Sequence, residues 1–435
     1  MLFLEKLFGL KKYNTTLKQE INAGIVTFMT MAYIIVVNPA ILIAAGIPFG
    51  PSMVATIVTA IFGTLIMGFY ANRPFAIAPY MGENAFIAYT VCGVLGYPWQ
   101  TALGAVFISG ILLVILTVIG GRRVMCEAIP ENLKYSFAVG IGLFMVFVGL
   151  VNSKIVTIGT ESAPVHVGSL NSPEVILAIL GFIIIAALTI RKIKGAILIG
   201  IIATSAIGFI FGIVPSPEAI ISMPPDISPL LFQLDIIGAF SWGFFAVVLT
   251  IFTMSFLDTM AGLIGVSARA GFLDKDGNLP DIEKPFLADA ISNIIAPIFG
   301  TTTSGAFMES ATGVMAGGRT GLCAVVVAVL FALGLFFYPL LSVIPAAATG
   351  SAMIMVGLLM MQPIKNMNFT EYSEIFPALA VIILMSFTYN IGVGLCSGFV
   401  LYPMFKIISG KTKEINKGTW FLFALCLLFF IFYPY

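Results

Sequence analysis

Apolar stretches long enough to cross a hydrocarbon core of about 30 Å recur along nearly the whole chain, and this decides its class. They fall at roughly 20–46, 51–70, 82–95, 99–120, 131–152, 172–190, 195–213, 236–266, 285–299, 308–317, 320–342, 345–362, 373–388, 390–409 and 418–433. The runs are apolar all round and longer than the ~10-residue alternating strands of a membrane barrel. Only 9% of the 435 residues are charged and 60% are hydrophobic, too few charges to coat a soluble body of this size. The expectation is an all-α polytopic membrane protein with about 14 transmembrane segments; 418–433 either crosses or lies in the interface. The segments at 82–95 and 308–317 are too short to span alone.

Basic residues set the orientation. With Lys6, Lys11, Lys12 and Lys18 placed in the cytoplasm, every second connection should be basic. Arg73, then Arg122, Arg123 and Lys134, then Arg191, Lys192 and Lys194, then Arg269, Lys275 and Lys284, then Arg319, Lys365, Lys406, Lys411, Lys413 and Lys417 all follow that rule. Lys154 alone of the 21 basic residues falls outside. The chain therefore reads as a multi-pass protein of the cell membrane with a cytoplasmic N-terminus. Residues 1–19 are too short and too interrupted, by Glu5 and Lys6, for a signal peptide and read as an amphipathic surface helix.

Internal symmetry divides the rest. Ile129-Pro130 opens span five and Ile344-Pro345 opens span twelve, and MGENAFIA (81–88) resembles FMESATGV (307–314). Each pair is seven spans apart. Seven is odd, so the halves must be inverted in the membrane, as in many secondary transporters. The expected units are a first seven-span repeat at 20–213, an outside loop at 214–235, a second repeat at 236–409 and a C-terminal hydrophobic segment at 410–435.

Charge inside a membrane is costly and needs a reason. Three carboxylates qualify: Glu83, Asp258 and Glu309. Asp258 lies eleven residues before Arg269 and Glu309 ten before Arg319, so helical rise puts both roughly 15 Å deep, near the midplane. RPFAIAPY (73–80) holds two prolines and GTTTSGAF (300–307) is β-branched and Gly-bearing, so both should run extended. Short helices should follow them, their N-termini meeting near the midplane as a polar site. Asn84 offers a donor and an acceptor beside Glu83. Thr27, Thr30 and Asn38 could line the cavity; the plainer role for such hydroxyls is to bond a helix carbonyl, and for the acids to sit neutral and hydrogen-bonded inside the bundle.

Other signals point away from alternatives. The five cysteines are scattered singly, DKDGN (274–278) lacks the glycine of a calcium loop at Leu279, and His166 is the one histidine. No metal or cofactor is implied. Walker A, G-x-S-x-G and H-E-x-x-H patterns are missing, so neither ATP-driven pumping nor an enzyme is indicated. A net charge of +1 with no basic patch gives no reason to expect a nucleic acid. A channel remains a competing class, as does a carrier of the same architecture for an anion, although an anion site would want a cation at mid-depth.

TFMTMAYIIVVNP (27–39), GENAFIAY (82–89), LDTMAGLIGVSARAGFLDKDGNLPDIEKPFLADA (257–290), GTTTSGAFMESATGVMAGGRTGL (300–322) and MSFTYNIGVG (385–394) make the chain similar, over most of its length, to the AzgA-like hypoxanthine/guanine permeases. These are a branch of the nucleobase–cation symporters, the xanthine/uracil permease family. The resemblance implies the uracil-transporter fold, with core and gate domains, and proton-coupled uptake of purine bases. It implies Asp258 and Glu309 as the carboxylates that hold the base, Asn84 as the polar residue of span three, and Ala306 and Phe307 as backbone-contributing neighbours. Phe86 or Phe307 could stack on the base, and Asp258 or Glu309 could carry the proton. Na⁺ coupling and a homodimer stay open, as do xanthine or uracil as substrates. The sequence departs from the family at Gly82-Glu83-Asn84, usually Gly-Leu-Asn, and at Ser304-Gly305-Ala306-Phe307, where bulkier polar and aromatic residues are usual. Both departures bear on which base is taken.

Overall fold

The computed structural model describes residues 2–121, 125, 127–160, 163–240, 245–274 and 279–432. Arg122, Arg123, Cys126, Lys275 and most of the DKDGN turn lie outside them. The helices of the first half are α1 (Leu2–Phe8), α2 (Leu17–Met31), α3 (Ile34–Leu42), α4 (Phe49–Phe69) and α5 (Met81–Ala85, continued as a π-helix over Phe86–Val94), then α6 (Trp99–Val118), α7 (Glu131–Asn152), α8 (Pro173–Ile190) and α9 (Ala196–Ile210). The second half holds α10 (Ile236–Ala239), α11 (Phe245–Ala270), α12 (Glu283–Ile298), α13 (Ser310–Met315), α14 (Gly321–Gly334), α15 (Tyr338–Ser342), α16 (Ala346–Met360), α17 (Tyr372–Phe387), α18 (Ile391–Ile408) and α19 (Lys417–Phe432). Strand β1 (Ile77–Pro79) precedes α5, β2 (Val156–Thr160) and β3 (Ala163–Val167) form a hairpin after α7, and β4 (Ser304–Ala306) precedes α13.

Proline punctuates the spans. Pro48, Pro98, Pro130 and Pro345 sit immediately before α4, α6, α7 and α16, and Pro173 opens α8 behind a Ser172 cap. Thr16 and Gln19 close a capping box that starts α2. The first span is not the single helix expected over 20–46. It breaks at Ala32–Tyr33, between α2 and α3, while Pro39 is accommodated inside α3. The hairpin after α7 was not anticipated either; the sequence there reads as plain polar loop.

The repeats are inverted. β1 and β4 pair antiparallel, Ile77 opposite Ala306 and Pro79 opposite Ser304, so the helices that leave them head in opposite directions. Helix packing maps onto itself when each span is exchanged for the one seven later. α2 packs on α14 as α11 packs on α6, α4 on α14 as α12 on α6, and α8 on α16 as α17 on α7. Two acids obey the same operation. Buried Glu20, at the start of span one, accepts from the amides of Arg319 (2.9 Å) and Thr320 (3.3 Å) ahead of α14. Asp235, at the start of span eight, accepts from the Thr101 hydroxyl (3.2 Å) in the first turn of α6. Spans one to four and eight to eleven form one group, the core, and spans five to seven and twelve to fourteen a second, the gate; α3 on α16, α5 on α7 and α11 on α18 join them.

Loops that the charge pattern assigns to one side do meet. Asn72 donates to the Phe8 carbonyl and accepts from Gly321, Arg73 donates to the Pro280 carbonyl, and Asn416 donates to that of Glu127. The N-terminal helix is therefore docked on the protein through Phe8, which stacks on Phe69 at 5.8 Å. On the same face Lys406, 1% exposed, joins Glu374 (2.9 Å) and Glu414 (2.5 Å), and Lys411 pairs with Glu371, holding that carboxyl down at about 2. That last pair persists until the pH falls through about 2. Lys406→Met is expected to destabilise the gate by about 1–3 kcal/mol, less than a fully buried pair because both acids keep some water. Thermal unfolding in detergent, with Lys413→Met as the surface control, checks this; equal melting temperatures for the two variants would contradict it.

Candidate functional site

Extended backbone halfway through a membrane needs partners for its amides and carbonyls, and side chains of both repeats supply them. The Thr64 hydroxyl accepts from Ile77 N (2.9 Å) and donates to Ile77 O (3.1 Å). Ser310 Oγ accepts from Ala76 N (3.0 Å), and Asn293 Oδ1 from Ser304 N (3.1 Å). Across the pair, Tyr80 N donates to Thr303 O and Phe307 N to Ala76 O, each at 2.9 Å. The crossing is thus a rigid two-stranded bridge.

Asp289 on α12 ties the bridge down. One oxygen accepts from the Thr259 hydroxyl (2.7 Å), the other from the Ala306 amide (2.7 Å) and the Tyr80 hydroxyl (3.3 Å). The side chain is fully buried. Gly305 is required beneath it, since a Cβ there would stand 2.1 Å from the Tyr80 oxygen and 2.5 Å from Asp289 Oδ2. Tyr80 in turn stacks on Phe307, ring centroids 6.4 Å apart and planes 6° from parallel.

Glu309 lies just before α13, half-buried, and its Oε1 accepts a 2.6 Å hydrogen bond from the hydroxyl of Tyr33, the residue at the break of span one. Close packing holds α13 there: a Cβ on Gly313 would stand 1.9 Å from Thr27 Oγ1. Asp258 is half-buried on α11, one turn before Gly262, whose Cβ would come within 2.4 Å of the Ala306 carbonyl. Its carboxyl stands beside that of Glu83. Glu83 is fully buried, and neither of its oxygens receives a hydrogen bond. Asn84 donates to Asn38, which donates to the Thr56 (2.7 Å) and Thr301 (3.0 Å) hydroxyls, leaving the Asn84 carbonyl oxygen buried and unbonded.

Glu83, Asn84, Asp258, Ala306, Phe307 and Glu309 thus gather around the strand bridge. Others are engaged elsewhere. Thr30 bonds Thr27 O (2.8 Å) and the Thr312 hydroxyl (3.0 Å), so it serves α2 and α13. Thr27 packs against α13 at Gly313. The amides of Ala306 and Phe307 are both taken, by Asp289 and by Ala76. Phe86 is buried at the start of the π-helix. Sequence reasoning missed Asp289, Tyr80 and Tyr33. Asp289 follows Lys284 by five residues and reads as interfacial; its signal is Asn293 one turn on, two polar residues on one face of an apolar helix. Among the described residues no group of three or more His, Cys, Asp and Glu side chains is arranged to hold a metal ion.

Residues 18–432 match the profile of the Permease family, Xan_ur_permease. The guanine/hypoxanthine permease PbuO of Bacillus subtilis is 43% identical over 435 residues, spanning 98% of this chain and 99% of that protein. The adenine permease AdeQ of Escherichia coli is 38% identical over 413 residues, spanning 95% of this chain and 93% of that protein. Among solved structures, the transmembrane domain of the cyanobacterial bicarbonate transporter BicA superposes with a TM-score of 0.64 at 16% identity, over 88% of this chain and 97% of that one, a likeness of fold alone. Inverted repeats joined at a mid-membrane strand bridge, and a profile match from Lys18 to the last helix, place this multi-pass membrane protein in the xanthine/uracil permease family, within its AzgA-like branch.

Proposed function

We propose that the protein carries purine nucleobases (hypoxanthine, guanine or adenine) across the cell membrane together with a proton. The observation that carries the reading is Glu309: a half-buried carboxylate at the strand bridge, one oxygen fixed by Tyr33. A carboxylate so held accepts bonds from ring and exocyclic N–H groups side by side, which orients a neutral planar base. Phe307, stacked on Tyr80, offers an aromatic wall, and the unbonded Asn84 oxygen offers a further acceptor. Asp258 binds the base or takes part in proton coupling. The names of the B. subtilis and E. coli relatives support a purine over a pyrimidine.

Uptake of labelled hypoxanthine by cells lacking their own purine permeases tests the reading. Unlabelled guanine or adenine should compete at a tenfold excess, uracil should not, and a protonophore should abolish accumulation. Uptake that no purine suppresses would remove the substrate assignment, and accumulation that survives the protonophore but requires Na⁺ would replace the coupled ion.

A further inference from the structure

We propose that Glu83 and Asp258 hold one proton between them, and that this shared proton is the ion moved with the base, leaving Glu309 to bind the base. The proposal rests on the purine reading above and divides its labour between two sets of acids.

Glu83 is 0% exposed, and both its oxygens are buried without a hydrogen-bond donor. A carboxylate left that way is among the costliest groups a protein can bury. Its surroundings hold other acids and a phenol. On α11 stands Asp258, on α12 Asp289, and ahead of α5 the Tyr80 hydroxyl. From α3 the polar group at hand, Asn38, is engaged with Asn84, and from α7 the side chain that meets α5 at Gly82 is Ile141. Asp289 is already satisfied by four donors and fixed to the bridge. Asp258 is left as the neighbour whose carboxyl can complete Glu83. Two carboxyls side by side are satisfied by one proton, which one donates and the other accepts.

The arrangement also supplies a route. Asp258 is half-buried whereas Glu83 is sealed, so Asp258 is the more exposed member of the pair. Opened to the outside, the pair takes a proton from water, forming one carboxyl O–H bond. Sealed, it must keep that proton, because two adjacent buried charges cannot stand. Opened to the other side, hydration lets that bond break and the proton leaves to water. The pair straddles α5 and α11, and α5 touches the gate helix α7 while α11 touches α18, so the pair lies where the two helix groups meet. Glu309 stands apart from this pair, with one oxygen accepting from the Tyr33 hydroxyl.

The test uses purified full-length protein in liposomes. Glu83→Gln is expected to lose at least tenfold in accumulation of base driven by an inward proton gradient, and to lose the proton movement that accompanies uptake. Base-for-base exchange, which needs no net proton movement, should stay within about threefold of the parent. If Glu83→Gln does not fold, Asp258→Asn is read the same way for proton movement. The parent at neutral pH should also show the infrared C=O stretch of a protonated carboxyl, absent from Glu83→Gln, a readout that needs no substrate. Gradient-driven accumulation by Glu83→Gln with the parent's proton count, or parent and variant spectra that coincide, would overturn the proposal. Failure of the parent to exchange any purine would count against the substrate reading alone, because the infrared comparison still decides the pair.

Discussion

Replacing Glu309 by Gln is expected to reduce purine uptake by about 100-fold or more while leaving the protein folded; hydrogen bonds to a charged acceptor contribute about 1.5–3 kcal/mol, and a mismatched donor costs about 1–3 more. The sum, about 2.5–6 kcal/mol, corresponds to a factor of about 10² to 10⁴ at 1.4 kcal/mol per decade. The substitution keeps shape and volume. The Tyr33 hydroxyl can still donate to the amide oxygen, so the contact between the break of span one and α13 survives. What changes is the second oxygen, which becomes an NH₂ group facing the N–H of the base. Two donors then oppose each other in a site with little water to relieve them. Tyr33→Phe should cost less, about tenfold, because it removes the orienting bond and keeps the charge. Titration of purified protein with hypoxanthine gives the affinities, and thermal unfolding confirms that both variants fold. Glu309→Gln protein that binds the base as tightly as the parent would remove Glu309 from the substrate site.

Much of this architecture is legible in the chain because lipid imposes a strict period on it. Runs of apolar residues mark the spans, prolines at 48, 98, 130, 173 and 345 mark their starts, and alternating basic connections mark the sides. The strand bridge is legible as well: a stretch with prolines at 74 and 79, and another of threonines and glycine, cannot be helix at that depth. The break at Ala32–Tyr33 is harder to see. Pro39 announces a disturbance only at itself and at the Ile35 carbonyl, both inside α3 and short of the break. Site residues divide along the same line. Acids deep in apolar sequence, Asp258 and Glu309, stand out by their cost. Glu20 and Asp289 are more deeply buried still, yet both sit within five residues of a lysine, Lys18 or Lys284, and read as surface. Tyr80 and Tyr33 carry no such mark, because a tyrosine in a span is ordinary until its hydroxyl is seen on a carboxylate. Thr30 illustrates the converse: depth and polarity suggested a cavity, and packing gave the hydroxyl to Thr27 O and Thr312.

Asp289→Ala should be the most damaging single change outside the proposed substrate contacts. It strips the acceptor from four buried donors at once: Thr259 Oγ1, Ala306 N, the Tyr80 hydroxyl and Asn293 Nδ2. The hydroxyls can turn toward other acceptors. The Ala306 amide cannot turn, because pairing with β1 fixes it. With each orphaned buried group costing about 1–3 kcal/mol, the loss should come to about 3–5 kcal/mol. Asp289→Asn separates charge from geometry. Its single oxygen can serve the Ala306 amide, but its NH₂ must then face Thr259, whose hydroxyl can reverse to accept, and Asn293 Nδ2 (3.4 Å from Oδ1), which cannot. About 1–2 kcal/mol should be lost in that variant, and uptake should persist at a reduced level. The damage should also be local at first. The order of the bridge sets where Phe307 and Glu309 stand, so amide hydrogen exchange over 304–307 should accelerate in Asp289→Ala before the rest of the protein loosens. Faster exchange confined to that segment, with a lowered melting temperature and weakened base binding, is the expected pattern. Unchanged exchange there, alongside parental uptake, would mean that Asp289 does not hold the bridge and that the strand pair stands without it.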